Sequence, residues 1–158
     1  MSKMCSILLL LISGFIIMGC DNLDKQWHKY KAEKTEIWGM RRADVEVLSH
    51  GWKLIDKSKP DICEWGWEIT IKVKNTEKDS KKLLGITGIE YTLQDKDHFN
   101  LTTGRLNLDN YRRVIWDSGT KGAVLQEYGE TVTYRGTGKI PVKQAKRAKF
   151  GSCRILLQ

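Results

Sequence analysis

From residue 44 onward, hydrophobic and polar residues alternate along the chain in short segments. The clearest segment is 65–74, where every odd position is Trp, Ile or Val and the even positions are Gly, Glu, Thr and Lys. Because successive side chains of a strand point to opposite faces, this pattern predicts a strand with one buried and one solvated face, as in an antiparallel sheet. Trp65 and Trp67 fall on the inward face, where we interpret them as core residues; stacking on a ligand is the alternative.

A second segment, 86–94, predicts a strand with Ile89, Tyr91 and Leu93 on its inward face. The polar residues that follow favour a turn, and the alternation resumes after it, so the two segments predict a hairpin. Ser49-His50-Gly51 is predicted to be another turn. Further strands are predicted at 44–48, 131–135 and 151–157, and residues 114–116 form a short apolar segment. Short strands with Gly-containing turns and little helical periodicity indicate an all-β antiparallel sandwich, which we assign to residues 44–158.

The N-terminal segment has a different pattern. Lys3 precedes an apolar run from Ile7 to Met18. This run has the length of a signal-peptide hydrophobic region and is shorter than the about 20 apolar residues of a spanning helix. It ends in Ile17-Met18-Gly19-Cys20, which resembles the lipobox of bacterial lipoprotein precursors. An uncleaved anchor helix or a buried core helix is the alternative interpretation.

The lipobox resemblance implies that diacylglycerol is attached to Cys20 and that the signal peptide, residues 1–19, is cleaved. The chain would then be held to the cell membrane on its extracytoplasmic face, which is the periplasmic face in a Gram-negative host. Asp21 resembles the residue that retains lipoproteins in the inner membrane of enteric bacteria. Residues 20–43 are highly charged and lack strand alternation. We interpret them as a lipidated tether, with a short helix around Trp27 and Tyr30 as its only regular structure.

Four cysteines occur in the chain, and lipoprotein processing would remove Cys5 and acylate Cys20. The remaining pair, Cys63 and Cys153, would be in an oxidising compartment, where we predict a disulfide. A loop of about 90 residues corresponds to roughly 4 to 5 kcal/mol in the loop-entropy account. In a host without extracytoplasmic oxidation, the alternative is two buried thiols.

The formal net charge of the chain is +8, and Lys3 is the only charged residue of the predicted leader. A basic surface held near anionic headgroups gains about 1 kcal/mol for each well-placed Lys or Arg. Nucleic acid is the other common partner of basic proteins, and we exclude it because of the predicted export. A solvated surface that aids solubility is the alternative. The candidate basic surface consists of Lys143, Lys146, Arg147 and Lys149.

Three segments together, 67–75, 89–97 and 128–134, resemble FxLYD-type immunoglobulin-like modules. The shared features are a strand that ends in Asn75, a strand whose end matches aromatic-x-Leu-x-Asp at Tyr91 to Asp95, and a Gly-Glu-Thr entry to a later strand. The resemblance implies a single antiparallel immunoglobulin-like β-sandwich of about seven strands after an N-terminal signal helix. It also implies an extracytoplasmic accessory module, and it supplies no catalytic residues.

The sequence contains no nucleophile motif, zinc-protease motif or phosphate-binding glycine loop, so we predict that the protein is not an enzyme. The three histidines, His28, His50 and His98, lack metal-ligand spacing, and we predict neither a metal site nor another cofactor. Asp95 and Asp97 suit a hairpin turn better than a calcium loop or a carboxylate pair.

These features favour a membrane-anchored, non-enzymatic binding or assembly module. Its partners would be the membrane, through acylated Cys20, and a protein or envelope polymer, with addition of a partner strand to a sheet edge as one mode. The alternative is an inhibitor of an envelope hydrolase or an accessory subunit of a secretion or envelope machine. An inhibitor would present a protruding loop, for which the charged segments 75–82 and 117–122 are the candidates.

Overall fold

The computed structural model describes residues 23–75, 83–111, 114–116 and 122–158. The predicted signal helix, Cys20 and nearly all of the two candidate inhibitory loops lie outside the described residues.

The regular structure of the described residues is almost entirely strand, which confirms the predicted all-β class. Two 3-10 turns, Arg42–Asp44 and Leu108–Asn110, and one short helix, α1 (Val142–Ala145), complete the regular structure of this part of the chain. The ten strands are β1 (His28–Tyr30), β2 (Thr35–Trp38), β3 (Val45–Lys59), β4 (Ile62–Val73), β5 (Leu83–Gln94), β6 (Asn100–Arg105), β7 (Val114–Trp116), β8 (Gly122–Glu127), β9 (Thr131–Pro141) and β10 (Phe150–Leu157).

The strands form two sheets, as the predicted sandwich requires. The first sheet has the order β1-β3-β4-β9 and is antiparallel throughout. The second has the order β2-β10-β5-β8-β7, with β6 also paired to β5. Its strands are antiparallel except for the parallel pair of β2 and β10. The ten described strands exceed the predicted number of about seven, and β1 and β2, from the segment predicted as a tether, account for two of the three additional strands.

The prediction that residues 20–43 form a tether with a short helix is wrong for the described part of that range. Tyr30 pairs with His50 in the first sheet, and Thr35 pairs with Cys153 in the second. Leu23 also packs against the core. The folded body therefore begins well before residue 44. Strands of three and four residues are too short to show the alternation on which the sequence-based assignment depended.

The core lies between the two sheets and is rich in aromatic residues. Trp65 and Trp67 are at most 1% exposed, which confirms their interpretation as core residues. The Trp67 indole stacks on Tyr91, with ring centroids 5.8 Å apart. The indole N–H groups of both Trp residues have no hydrogen-bond acceptor among the described residues, so these rings stabilise the core by packing alone. The predicted inward residues of β5, Ile89, Tyr91 and Leu93, are fully buried.

The turn predicted at residues 49–51 is wrong, because β3 continues through it. A register shift between Val47 and Ser49 accommodates an extra residue, and the strand then pairs normally with β4. Gly51 is paired with Lys29 of β1, and a β-carbon at this position would come within 2.9 Å of the His28 carbonyl oxygen. The glycine is thus required for the close approach of two strands and not for a turn.

Candidate functional site

A groove of about 810 Å³ lies on the outer face of the second sheet. It runs across β2, β10, β5 and β6. Three rows of polar side chains form it, because paired residues on neighbouring strands of a sheet point to the same face.

The first row is charged and alternates in sign across the four strands. Glu36, Arg154, Glu90 and Arg105 are consecutive partners in the strand register. The Arg154 guanidinium lies 3.4 Å from the Glu36 carboxylate and 3.6 Å from that of Glu90. Glu90 in turn lies 3.2 Å from Arg105. These are partly exposed pairs, each worth little in stability, and together they form one continuous row of alternating charge.

The second row carries hydroxyl groups. Ser152 pairs with Thr92, and Thr92 pairs with Thr103 in the strand register. The two threonine hydroxyls are hydrogen-bonded to each other at 2.9 Å. The third row carries amides, since Gln94 Nε2 donates to Asn100 Oδ1 at 3.0 Å. Both rows are neutral, and each bond fixes the orientation of the groups that face the groove.

One end of the groove is closed by a corner at which Lys34 and His98 meet. The Lys34 ammonium is 3.3 Å from His98 Nδ1 and 3.8 Å from the centre of the Phe150 ring, on which His98 also stacks. Lys34 and His98 are the non-glycine residues with positive φ in the described part of the chain, at 55° and 64°. Such backbone conformations are costly for residues with a β-carbon and are common at functional sites.

The end of the groove opposite the Lys34–His98 corner is bordered by an exposed aromatic residue. Trp38 is 55% exposed and follows Glu36 by two positions on β2, so both side chains point outward. Its indole N–H donates to the Glu36 carboxylate, and the Arg154 guanidinium lies 4.8 Å from the ring centre. A rigid, exposed indole beside polar side chains is a frequent feature of binding surfaces.

Three further groups with potential nucleophile or base chemistry lie in the core. His50 is 2% exposed, and both of its ring nitrogens are hydrogen-bonded, Nδ1 to the Tyr91 hydroxyl at 2.8 Å and Nε2 to the Glu33 carbonyl oxygen. Desolvation lowers the pKa of His50 and raises that of Tyr91. Burial also raises the pKa of Cys153 to about 12.

The predicted Cys63–Cys153 disulfide is not formed, because Cys153 is a buried free thiol. Cys63 lies on β4 in the first sheet, and Cys153 lies on β10 in the second. Sequence spacing could show that the two cysteines were an available pair, but not that Cys153 would remain a free thiol.

The basic cluster is placed at one end of the sandwich, around α1. Lys143, Lys146 and Lys149 are exposed. Arg147 differs from them, because its guanidinium donates to the Asp95 carboxylate at 2.6 Å. The four residues therefore do not act as one free basic surface.

Asp95 confirms the turn interpretation. Its carboxylate accepts hydrogen bonds from the backbone N–H groups of Asp97 and Phe99. Burial alone would raise the pKa of Asp95, but the bonds from Phe99, Arg147 and Asp97 together lower it. Among the described residues, His, Cys, Asp and Glu form no group of three that could hold a metal ion.

Sequence reasoning missed the groove. The outward positions of β5 were visible as the polar half of an alternating pattern, yet outward polar residues are normal in any half-exposed sheet. The groove also needs β2, which was assigned to the tether.

Comparison of the chain with protein families, with curated proteins and with solved structures finds no significant match. The resemblance to FxLYD-type modules therefore stays a prediction. No helix within the described ranges has the length and apolar character needed to cross a membrane.

Proposed function

We propose that the chain is a non-enzymatic binding module that is anchored to the extracytoplasmic face of the cell membrane through acylated Cys20. The anchor rests on the lipobox-like residues Ile17–Cys20 and on the short apolar run before them. The binding role rests on the groove.

The groove supports binding because it is a built surface and not a chance depression. Its side chains are fixed by ion pairs and by cross-strand hydrogen bonds, for example Thr92 with Thr103 and Gln94 with Asn100. A surface whose groups are already oriented loses less entropy when a ligand binds. The strained backbone at Lys34 and His98 occurs at the same surface.

The non-enzymatic part of the proposal is supported by the burial of three reactive groups. His50, Tyr91 and Cys153 are all buried, and each serves the packing or hydrogen bonding of the core. The groove offers hydroxyls, amides and paired charges, which are suited to holding a ligand.

The anchor is tested by mass spectrometry of the N-terminus of the protein isolated from its host. We expect a chain that begins at Cys20 and carries a diacylglyceryl group. Cys20→Ala should give unprocessed precursor without lipid. An intact, unacylated leader in the wild-type chain would contradict the proposal.

The binding role is tested by photo-crosslinking in the host membrane. A photoreactive amino acid is placed at Thr103 in the groove or at Thr133, which forms the corresponding threonine pair with Thr70 in the first sheet. We expect an adduct of defined mass at position 103 and none at 133. Equal adducts at both positions, or none at either, would contradict binding through the groove.

The identity of the adduct also separates the two classes of partner. A polymer of the envelope or a structural protein would fit the binding module. Repeated recovery of one hydrolase would instead favour the inhibitor alternative, and recovery of secretion subunits would favour the accessory alternative.

A further inference from the structure

We propose that the groove on the second sheet binds a neutral glycan chain, with Trp38 as the stacking platform and the hydroxyl and amide rows as the hydrogen-bonding floor. This inference rests on the proposed binding role of the groove and adds the chemical class of its ligand.

The charge of the groove argues for a neutral ligand. Lys34 and Arg154 line it together with Glu36 and Glu90, and Arg105 at its edge is paired with Glu90, so the groove carries no large excess of either sign. Arg154 is already placed between two carboxylates. Surfaces that bind nucleic acids or other polyanions carry a net positive charge, and a carboxylate at the centre of the site would repel such a ligand.

The polar groups of the groove match the hydroxyls of a sugar. Hydroxyl and amide side chains both donate and accept hydrogen bonds, as sugar hydroxyls do. The Thr92–Thr103 bond uses one donor of the pair, and the Gln94–Asn100 bond leaves an amide oxygen and an amide nitrogen with further capacity. These residues can therefore bond to a ligand without giving up the contacts that orient them.

Trp38 supplies the contact that a purely polar groove lacks. One face of a pyranose ring consists largely of C–H groups, which pack favourably on the electron-rich face of an indole. The Trp38 side chain is 55% exposed, and Glu36 and Arg154 restrict its position. An aromatic ring beside a hydrogen-bonding floor provides both kinds of contact that a sugar ring needs.

The dimensions of the groove suit an oligosaccharide. From Glu90 to Gln94 the floor runs about 13 Å along β5, and four strands span about 14 Å across. A short run of sugar rings can lie on this area. An extended peptide would instead gain its main-chain bonds at a sheet edge, whereas the backbone groups of this face are paired within the sheet.

The test is calorimetric titration of the full-length chain in a detergent without a sugar headgroup. The ligands are neutral oligosaccharides of glucose (β-1,4 and α-1,4 linked) and of N-acetylglucosamine, with a heparin oligosaccharide as the polyanionic comparison. We expect saturable binding of at least one neutral oligosaccharide and weaker or no binding of heparin.

Two variants locate the site, and each has a matched control. Thr103→Val removes one hydroxyl at nearly constant shape, and Trp38→Ala removes the platform; each should weaken binding about tenfold. Thr133→Val and Leu48→Ala, which change a hydroxyl and an exposed apolar side chain of the first sheet, should leave the affinity within about twofold of the wild type. The melting curve of each variant reports whether it is folded, and Trp38 is exposed enough that its loss should not unfold the chain.

The proposal is overturned if no neutral oligosaccharide binds, if heparin binds more tightly, or if both groove variants bind as the wild type does. A crosslink from position 103 to a protein, combined with no glycan binding, would overturn this inference while leaving the proposed binding role in place.

Discussion

His50 is a single buried residue that links three parts of the chain. It belongs to β3, accepts a hydrogen bond from Tyr91 on β5 and contacts the carbonyl oxygen of Glu33 between β1 and β2. Because a carbonyl oxygen only accepts, Nε2 carries the proton of the neutral ring and Nδ1 is free to accept from Tyr91. The Tyr30 ring also stacks on it, with centroids 5.0 Å apart. A neutral imidazole therefore holds the N-terminal strands to both sheets.

This arrangement predicts that the protein loses stability on mild acidification. Desolvation lowers the pKa of His50 below its ordinary value of 6.5 in the folded protein, although the contact with Glu33 opposes the shift. The unfolded chain therefore binds more protons there, so stability is retained above that value and falls as the pH drops below it, down to the folded pKa.

The measurement is denaturant unfolding at about pH 7.5 and about pH 5.5. We expect a lower midpoint at the acidic pH for the wild type and a smaller difference for His50→Gln. His98→Gln, which changes an exposed histidine, should keep the wild-type difference. Asp95 does not contribute to this difference, because its pKa is lowered from its ordinary value of 3.8 and its protonation destabilises the protein only in stronger acid. An unchanged difference in His50→Gln would contradict the role given to His50.

Cys153 gives a second prediction for a single residue. Its thiol is 3% exposed, and burial raises its pKa to about 12. Since the thiolate is the reactive form, the folded protein should not be alkylated at this position near pH 8. Iodoacetamide labelling followed by peptide mapping should find Cys153 modified only after unfolding. Modification in the folded state at the rate of a free thiol, or isolation of a peptide crosslinked through Cys153, would contradict this.

At the scale of elements, β9 can lie close to the core because it has glycines where the Trp rings approach. A β-carbon at Gly136 would clash with the Trp67 indole, and one at Gly138 would come within 2.6 Å of Trp65 Nε1. Gly104 on β6 meets the same two rings. The large Trp rings on β4 can therefore pack in the core only because the residues that contact them on β9 and β6 are glycines.

Gly136→Ala should therefore destabilise the protein by about 1 to 3 kcal/mol through overpacking. Gly88→Ala is the matched control, since its β-carbon would meet only the flexible tip of Leu156 at 3.3 Å and should cost less. Denaturant unfolding of both variants gives the comparison. Equal stability of the two variants would show that β9 can move away from the Trp rings at little cost.

The strands that the sequence predicted well are those long enough to show their period. Residues 65–73 and 86–94 lie within β4 and β5, and the predicted inward faces are buried. The strand β3 was cut short, because Gly51 reads as a turn residue when its neighbour His28 is unknown. β1 and β2 were missed because short strands depend on tertiary pairing more than on pattern. The groove was missed with them, since Glu36 and Trp38 belong to β2.

At the scale of the whole molecule, the start of the described chain and the basic residues share one end of the sandwich. Lys25 is paired with Asp56 at 2.7 Å, close to the end of β3, and Asp61 in the following turn accepts a hydrogen bond from the backbone of α1. Lys143, Lys146 and Lys149 are exposed at this end. The opposite end holds the end of β4, where Lys74 is bonded to Asp44 at the start of β3.

This geometry gives the proposed anchor a direction. Leu23, which packs on the core, follows Cys20 by three positions, a distance of at most about 11 Å along the chain. If Cys20 carries the lipid, as proposed, the end with α1 must face the bilayer, where its lysines are attracted to anionic headgroups. In native membranes a membrane-impermeant maleimide polymer should therefore label Lys146→Cys more slowly than Lys74→Cys. Adding Cys20→Ala to each variant and releasing the protein from the membrane should make the two labelling rates equal. Faster labelling at position 146 than at position 74 in the anchored protein would contradict the orientation.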